Sequence, residues 1–141
     1  MEIITNDSVT TDGLNERLLI EWLSDVVRNE GGVLGEITIV FMNDNELLEY
    51  NKEYLKHNYY TDIISFDYTE SGVVSGDLLI SIDRVRDNAA RLDQLFSKEL
   101  HRVCVHGVLH LLGYKDKTLE DQKDMRAKED FYLNKYVSRE T

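Results

Sequence analysis

The sequence has no proline, a single cysteine and no apolar run approaching the ~18 residues of a membrane span. With neither proline, internal repeat nor low-complexity tract, nothing reads as a linker. Residues 1–141 are therefore expected to form one domain, long enough to bury roughly two-thirds of the unfolded surface. Cys104 alone cannot make an internal disulfide, which suits a reducing cytosol. The stretch Met1 to Asn6 carries neither a basic flank nor a long apolar core, so no membrane association and a cytoplasmic location are expected. Basic residues are also scarce, 16 Lys and Arg against 27 Asp and Glu, for a net charge of -11. That balance argues against coating nucleic acid nonspecifically, because such binding neutralises phosphates with Lys and Arg. Any RNA contact must use local cations. These gather as Lys56 with His57 and as the run Arg84, Arg86, Arg91, Lys98 and Arg102, which reads equally well as a solvated helix face.

What is present patterns into alternating strands and helices. Glu2 to Thr5 reads as a first strand; Leu14, Leu18, Trp22 and Val26 recur near helical spacing and stop at Gly31-Gly32. The β-branched segment Ile37 to Phe41 predicts a strand, and Asn43 followed three residues later by Glu46 predicts a capped helix running through Tyr54. Thr61 to Tyr68 and Asp77 to Ile82 read as two antiparallel strands about the turn Glu70-Ser71-Gly72. Asp83 is expected to cap a helix carrying Val85, Ala89 and Leu92, and Ser97 one running to Leu112. Leu119 to Tyr136 is a polar helix with one side formed by Met125, Phe131, Tyr132 and Tyr136. The expected fold is α/β (α+β): a mixed, mostly parallel four-stranded sheet with an antiparallel hairpin strand and about five helices.

The most informative stretch is His106-Gly107-Val108-Leu109-His110-Leu111-Leu112-Gly113-Tyr114-Lys115-Asp116. In a helix His106 and His110 stand one turn apart on one face, with Cβ atoms about 5–6 Å apart, close enough to share an ion. In a strand they would stand about 13 Å apart and could not. Gly113 sits where a left-handed C-cap would reverse the chain and bring Asp116 back to the two rings. Cys104 lies about 200° around the helix from His106 and belongs to the core. Two satisfied core histidines are the bland alternative. Against it, the run is apolar on nearly every face, which makes unpartnered imidazoles costly to bury, and Gly107 costs about 1 kcal/mol inside a helix, which suggests that something approaches it closely.

The spacing matches the zinc-protease pattern H-E-x-x-H-x-x-G-x-x-H except at two positions. Gly107 replaces the glutamate that serves such proteases as general base, so a peptidase is disfavoured. Asp116 replaces the last histidine, which adds negative charge at the centre and also suits non-haem iron. The segment resembles the H-G-x-L-H-L-x-G-Y-D-H signature of the YbeY family, matched by His106, Gly107, Leu109, His110, Leu111, Gly113 and Tyr114. Thr61 to Phe66 resembles that family's T-D-V-L-S-F strand, and Gly76 to Ser81 its G-D-I-x-I-S strand, in the expected order. Lys115-Asp116 stands in place of Asp-His, Leu55 in place of the family's helix-end arginine, and Tyr60 and Asp67 in place of flanking prolines.

The resemblance implies a single-strand-specific endoribonuclease that acts in 16S rRNA 3′ end maturation and in quality control of the small ribosomal subunit. It also implies one zinc ion on His106, His110 and Asp116, another transition metal being possible because a carboxylate replaces a histidine. The metal is expected to do the electrostatic work, with Gly107 leaving room for a phosphodiester and Lys56, His57, Lys115 or Lys117 holding the phosphate. The sequence points to no catalytic side chain beyond the metal centre. Asp62 and Asp77 fit turn positions better than metal ligation, and Ser65 lacks a nucleophile elbow. The partners that the resemblance implies are rRNA and the small ribosomal subunit, and a monomer is expected. The rival readings are a non-catalytic assembly factor with a structural metal, and a protease, iron oxygenase or other metal-dependent hydrolase using the same ligands.

Overall fold

The computed structural model describes the backbone of residues 1–140 and the side chains of residues 1–136. The elements are β1 (Glu2–Thr5), α1 (Glu16–Asn29), β2 (Val33–Met42), α2 (Asp44–Leu55), β3 (Ile63–Asp67), β4 (Val73–Ser81), α3 (Ile82–Arg91), α4 (Phe96–Leu111) and α5 (Leu119–Glu140). The sheet runs β1-β2-β4-β3. β1 and β4 flank β2 in parallel, and β3 pairs antiparallel to β4 at the edge. This is the expected α/β fold with its mostly parallel sheet and single antiparallel pair. Among the described residues no helix is long and apolar enough to cross a membrane.

Strand alternation divides the apolar residues between two faces. Ile37, Ile39 and Phe41 of β2, with Leu78 and Ile80 of β4, join the main core under α1, α3, α4 and α5. Met42, Ile64 and Leu79 face the other way and form a smaller cluster with Leu47 of α2. Two covered faces explain why β2 and β4 carry near-continuous apolar runs. α4 lies at the middle of the larger layer, touching α1, α3, α5, β3 and β4. Beyond its exposed first turn it is buried save for a partly open stripe of Arg102, His106 and His110.

Local signals account for most ends. Asn43 accepts from the Glu46 amide while the Glu46 carboxylate accepts from the Asn43 amide, the reciprocal cap expected of α2. Two expected caps are displaced. Ser81, not Asp83, caps α3, because β4 runs straight into the helix and the Ser81 hydroxyl accepts from the Arg84 amide. Ser97 lies inside α4, which begins after Leu95 with no side-chain cap. On α5, Met125, Tyr132 and Tyr136 are buried as expected, whereas Phe131 is 46% exposed and Leu133 takes its place in the core. Residue 131 is six positions from Met125 and so about 120° off its face, while 133, eight positions on, is about 80° off and still within the buried side.

Candidate metal centre

α4 places His106 and His110 one turn apart with ring centroids 4.5 Å apart and planes nearly perpendicular. The helix ends in a glycine reversal: Gly113 adopts φ +103°. The Gly113 amide donates to the His110 carbonyl at 3.0 Å and the Tyr114 amide to the Leu109 carbonyl at 3.0 Å. This paired closure is open to glycine because it has no Cβ to clash in the left-handed region. The chain then folds back, and Asp116 Oδ2 comes to 3.3 Å from Nε2 of both His106 and His110. The two Nε2 atoms stand 2.9 Å apart. The structure thus brings together the three residues read as ligands, their donor atoms within 4.8 Å of one another.

Both rings are oriented through their other nitrogen. His106 Nδ1 contacts Glu129 Oε2 at 2.7 Å, and His110 Nδ1 contacts the Tyr114 carbonyl at 2.9 Å. A carbonyl only accepts, so His110 Nδ1 is the protonated nitrogen and its Nε2 carries a lone pair. Glu129, 5% exposed, imposes the same tautomer on neutral His106. Two lone pairs and a carboxylate oxygen therefore converge on one point. Around a tetrahedral ion with bonds of about 2.0–2.1 Å, neighbouring donors stand about 3.3–3.4 Å apart. The two 3.3 Å edges match that spacing and the 2.9 Å edge is somewhat short. The donor set fits a divalent transition metal.

Electrostatics agree with the geometry. Burial works against a charged His106, but the hydrogen bond and charge of Glu129, with Asp116 and Asp62 behind it, outweigh burial and raise its pKa above the ordinary value. Burial likewise opposes a charged Glu129, yet His106 and Arg102 hold its pKa below the usual carboxylate value. Arg102 donates to Glu129 at 2.8 Å and to Asp130 at 2.7 Å. Burial raises Asp62, which accepts from Asn88 at 3.3 Å, and raises Glu99. A cleft of about 360 Å³ opens beside the cluster, its lining including Asp62, Glu99, His106, Asp116, Arg126 and Glu129.

Several further expectations can be placed. Gly107 does not face the cleft: a Cβ there would lie 2.7 Å from Ile63 Cδ1 and 2.9 Å from Leu78 Cδ1. The close approach is of helix to sheet, not of phosphodiester to metal. Lys115 and Lys117 are exposed on either side of Asp116, while Lys56 and His57 are exposed beyond α2, and none of the four lines the cleft. Lys56 donates to the Glu53 carbonyl, and His57 Nδ1 meets the Tyr59 hydroxyl. Leu55 is 43% exposed at the end of α2. Within the basic run Arg84, Arg86, Arg91 and Arg102 each pair with carboxylates, while Lys98 is exposed. Cys104 is fully buried, as expected, and burial pushes its thiol up.

The residue that sequence reading missed is Glu129. It sits on the buried stripe Met125, Glu129, Tyr132, Leu133, Tyr136, and a charge interrupting an apolar helical stripe was the available signal.

A family model described as Endoribonuclease YbeY matches residues 4–137. Proteins named Endoribonuclease YbeY are similar to this chain in Porphyromonas gingivalis (46% identical over 124 residues, 88% of this chain and 82% of the relative) and Flavobacterium psychrophilum (50% over 115 residues, 82% of each). The solution structure of TM1509 from Thermotoga maritima superposes with a TM-score of 0.70 at 26% identity, covering 99% of this chain and 91% of that one.

Proposed function

The chain belongs to the YbeY endoribonuclease family, and on that premise we propose that it hydrolyses single-stranded RNA at a centre where His106, His110 and Asp116 hold one divalent metal, zinc first among the candidates. The observation that carries this reading is the convergence of two imidazole lone pairs, 2.9 Å apart, with a carboxylate oxygen 3.3 Å from each. With both Nδ1 atoms donating elsewhere, no proton of the neutral rings lies between them. A cation satisfies all three.

When bound, such an ion would act as a Lewis acid on a phosphoryl oxygen. The residues of the chain orient and shield. Glu129 and the Tyr114 carbonyl fix the two ring planes, and the Gly113 reversal holds Asp116 beside them. The side chains of His106, His110 and Asp116 are 23%, 27% and 44% exposed, which leaves the cluster open to a substrate in the way structural metal sites are not. This favours an enzyme over a metal-stapled assembly factor. Gly107, packed against the sheet where a zinc protease has its base, disfavours peptide hydrolysis. Within this reading residues 1–141 act as one cytoplasmic YbeY-like domain, the substrate is 16S rRNA at its 3′ end, and the partner is the small ribosomal subunit.

The test is metal content together with cleavage. Purified protein is expected to carry about one equivalent of a transition metal, and His110→Ala to lose it along with cleavage of single-stranded RNA. A variant that cuts as fast as wild type would show that the activity comes from elsewhere.

A further inference from the structure

Resting on that reading, we propose that Arg126, which lines the same cleft as His106 and Asp116, is a phosphate-binding residue of the site whose guanidinium holds a backbone phosphate of the RNA.

A chain with a net charge of -11 must bring a polyanion to a cleft whose lining includes the carboxylates Asp62, Glu99, Asp116 and Glu129. Like charges there would repel the substrate unless a cation answers them. Two arginines line the cleft, and they differ in what their donors already do. Arg102 is 17% exposed with one Nη on Glu129 at 2.8 Å and the other on Asp130 at 2.7 Å, so both ends of its fork are engaged. Arg126 is 57% exposed; it meets Glu129 at 3.6 Å, beyond hydrogen-bond length, and its charge also acts on Glu99.

Glu129 has little left to give Arg126. One of its oxygens already accepts from Arg102 and the other meets His106. The contact therefore steers the Arg126 side chain without occupying its N–H donors. What results is a planar fork whose donors are unoccupied among the described residues, standing at i,i+3 to the residue that orients His106 and lining the same cleft as Asp116. Phosphate oxygens match such a fork in pairs, which a lysine ammonium does not reproduce.

The experiment compares wild type with Arg126→Ala, Arg126→Gln and Arg126→Lys on a 5′-labelled single-stranded RNA oligonucleotide, measuring Kd by anisotropy across a salt series, kcat, KM, metal content and melting temperature. For an exposed contact to one phosphate, Ala and Gln are expected to raise Kd and KM about five-fold with kcat little changed. The slope of log Kd against log salt should fall by about 0.7 in magnitude. Lys should restore part of the affinity and the whole of the slope. Unchanged KM and slope in Arg126→Ala, beside a wild type that binds and cuts, would overturn the inference and leave the function standing. So would lost metal or a lowered melting temperature accounting for the weaker binding, because Arg126 would then act through Glu129. A wild type that neither binds nor cuts single-stranded RNA would overturn the function, and this inference with it.

Discussion

Glu129→Gln is the sharpest perturbation available, because it changes almost no volume and removes one charge at a site 5% exposed to solvent. In the native protein one carboxylate oxygen accepts from Arg102 at 2.8 Å and the other from His106 Nδ1 at 2.7 Å. An amide offers one acceptor and one donor group. If its oxygen serves Arg102, its NH2 faces His106 Nδ1, and the ring relieves the clash by moving its proton to Nε2. That proton then occupies the lone pair on which the proposed metal depends. If the oxygen serves His106 instead, two donors oppose each other at Arg102, whose remaining partner Asp130 can draw it aside.

Losing such a supporting hydrogen bond weakens metal binding by about 10–100-fold, equivalent to about 1.4–2.7 kcal/mol. The assay is competition for zinc against a chelator of known affinity, with nitrogen chemical shifts of His106 reporting the tautomer. Zinc affinity within about two-fold of wild type, far short of that loss, would refute the argument that Glu129 sets the ring.

Two more predictions concern pH and packing. In the metal-free protein His106 titrates above its ordinary value of about 6.5, so its contribution to stability is full below about pH 6.5 and is lost as pH rises through the raised value. The metal-free chain should therefore melt higher at about pH 6 than at about pH 8, with zinc adding more at the higher pH, where the proton no longer competes. The opposite order in the metal-free melts would contradict the sign. For Gly107→Ala, the new Cβ must push Ile63 and Leu78 aside; overpacking of about 1–3 kcal/mol exceeds the roughly 1 kcal/mol gained in helix propensity. Denaturant melts should show a net loss of about 1 kcal/mol while metal stoichiometry stays at wild-type level. Falling metal content with unchanged stability would return Gly107 to the cleft.

Much of this architecture was legible because its signals are local. The Asn43 and Glu46 cap, the glycine after α4 and the i,i+4 histidines each lie within one or two turns of sequence, where backbone geometry fixes the outcome. The displaced starts of α3 and α4 show where locality ends. Asp83 and Ser97 are sound caps in isolation, but Ser81 is held by Asp44 across 37 residues, and Phe96 packs on the main core, so tertiary contacts drew each helix to an earlier start. Gly107 failed for the same reason. Its sequence says that something must approach closely, and only the topology, with β3 and β4 beneath α4, says that the something is Ile63 and Leu78.

The dependence on distance is strongest where the proposed centre is held in place. Asp116 follows His110 by six residues, and in a free chain that loop would sample many positions at an entropic cost of roughly 1–2 kcal/mol for each backbone it fixed. Here the loop is tied at several points. The Gly113 and Tyr114 amides close back on α4; the Tyr114 hydroxyl donates to Glu30 at 2.6 Å; Gln122 donates to the Asp116 carbonyl at 3.1 Å; and Thr118 and Asp121 cap α5 reciprocally. Glu30 itself closes α1 and also receives Tyr132 and Lys128 of α5. The same Tyr114 whose side chain is anchored there lends its carbonyl to His110 Nδ1. One distant carboxylate thus helps position the third donor and orient the second ring, while another, Glu129, orients the first. The three donors converge because α1 and α5 hold the loop and rings that α4 alone would leave free.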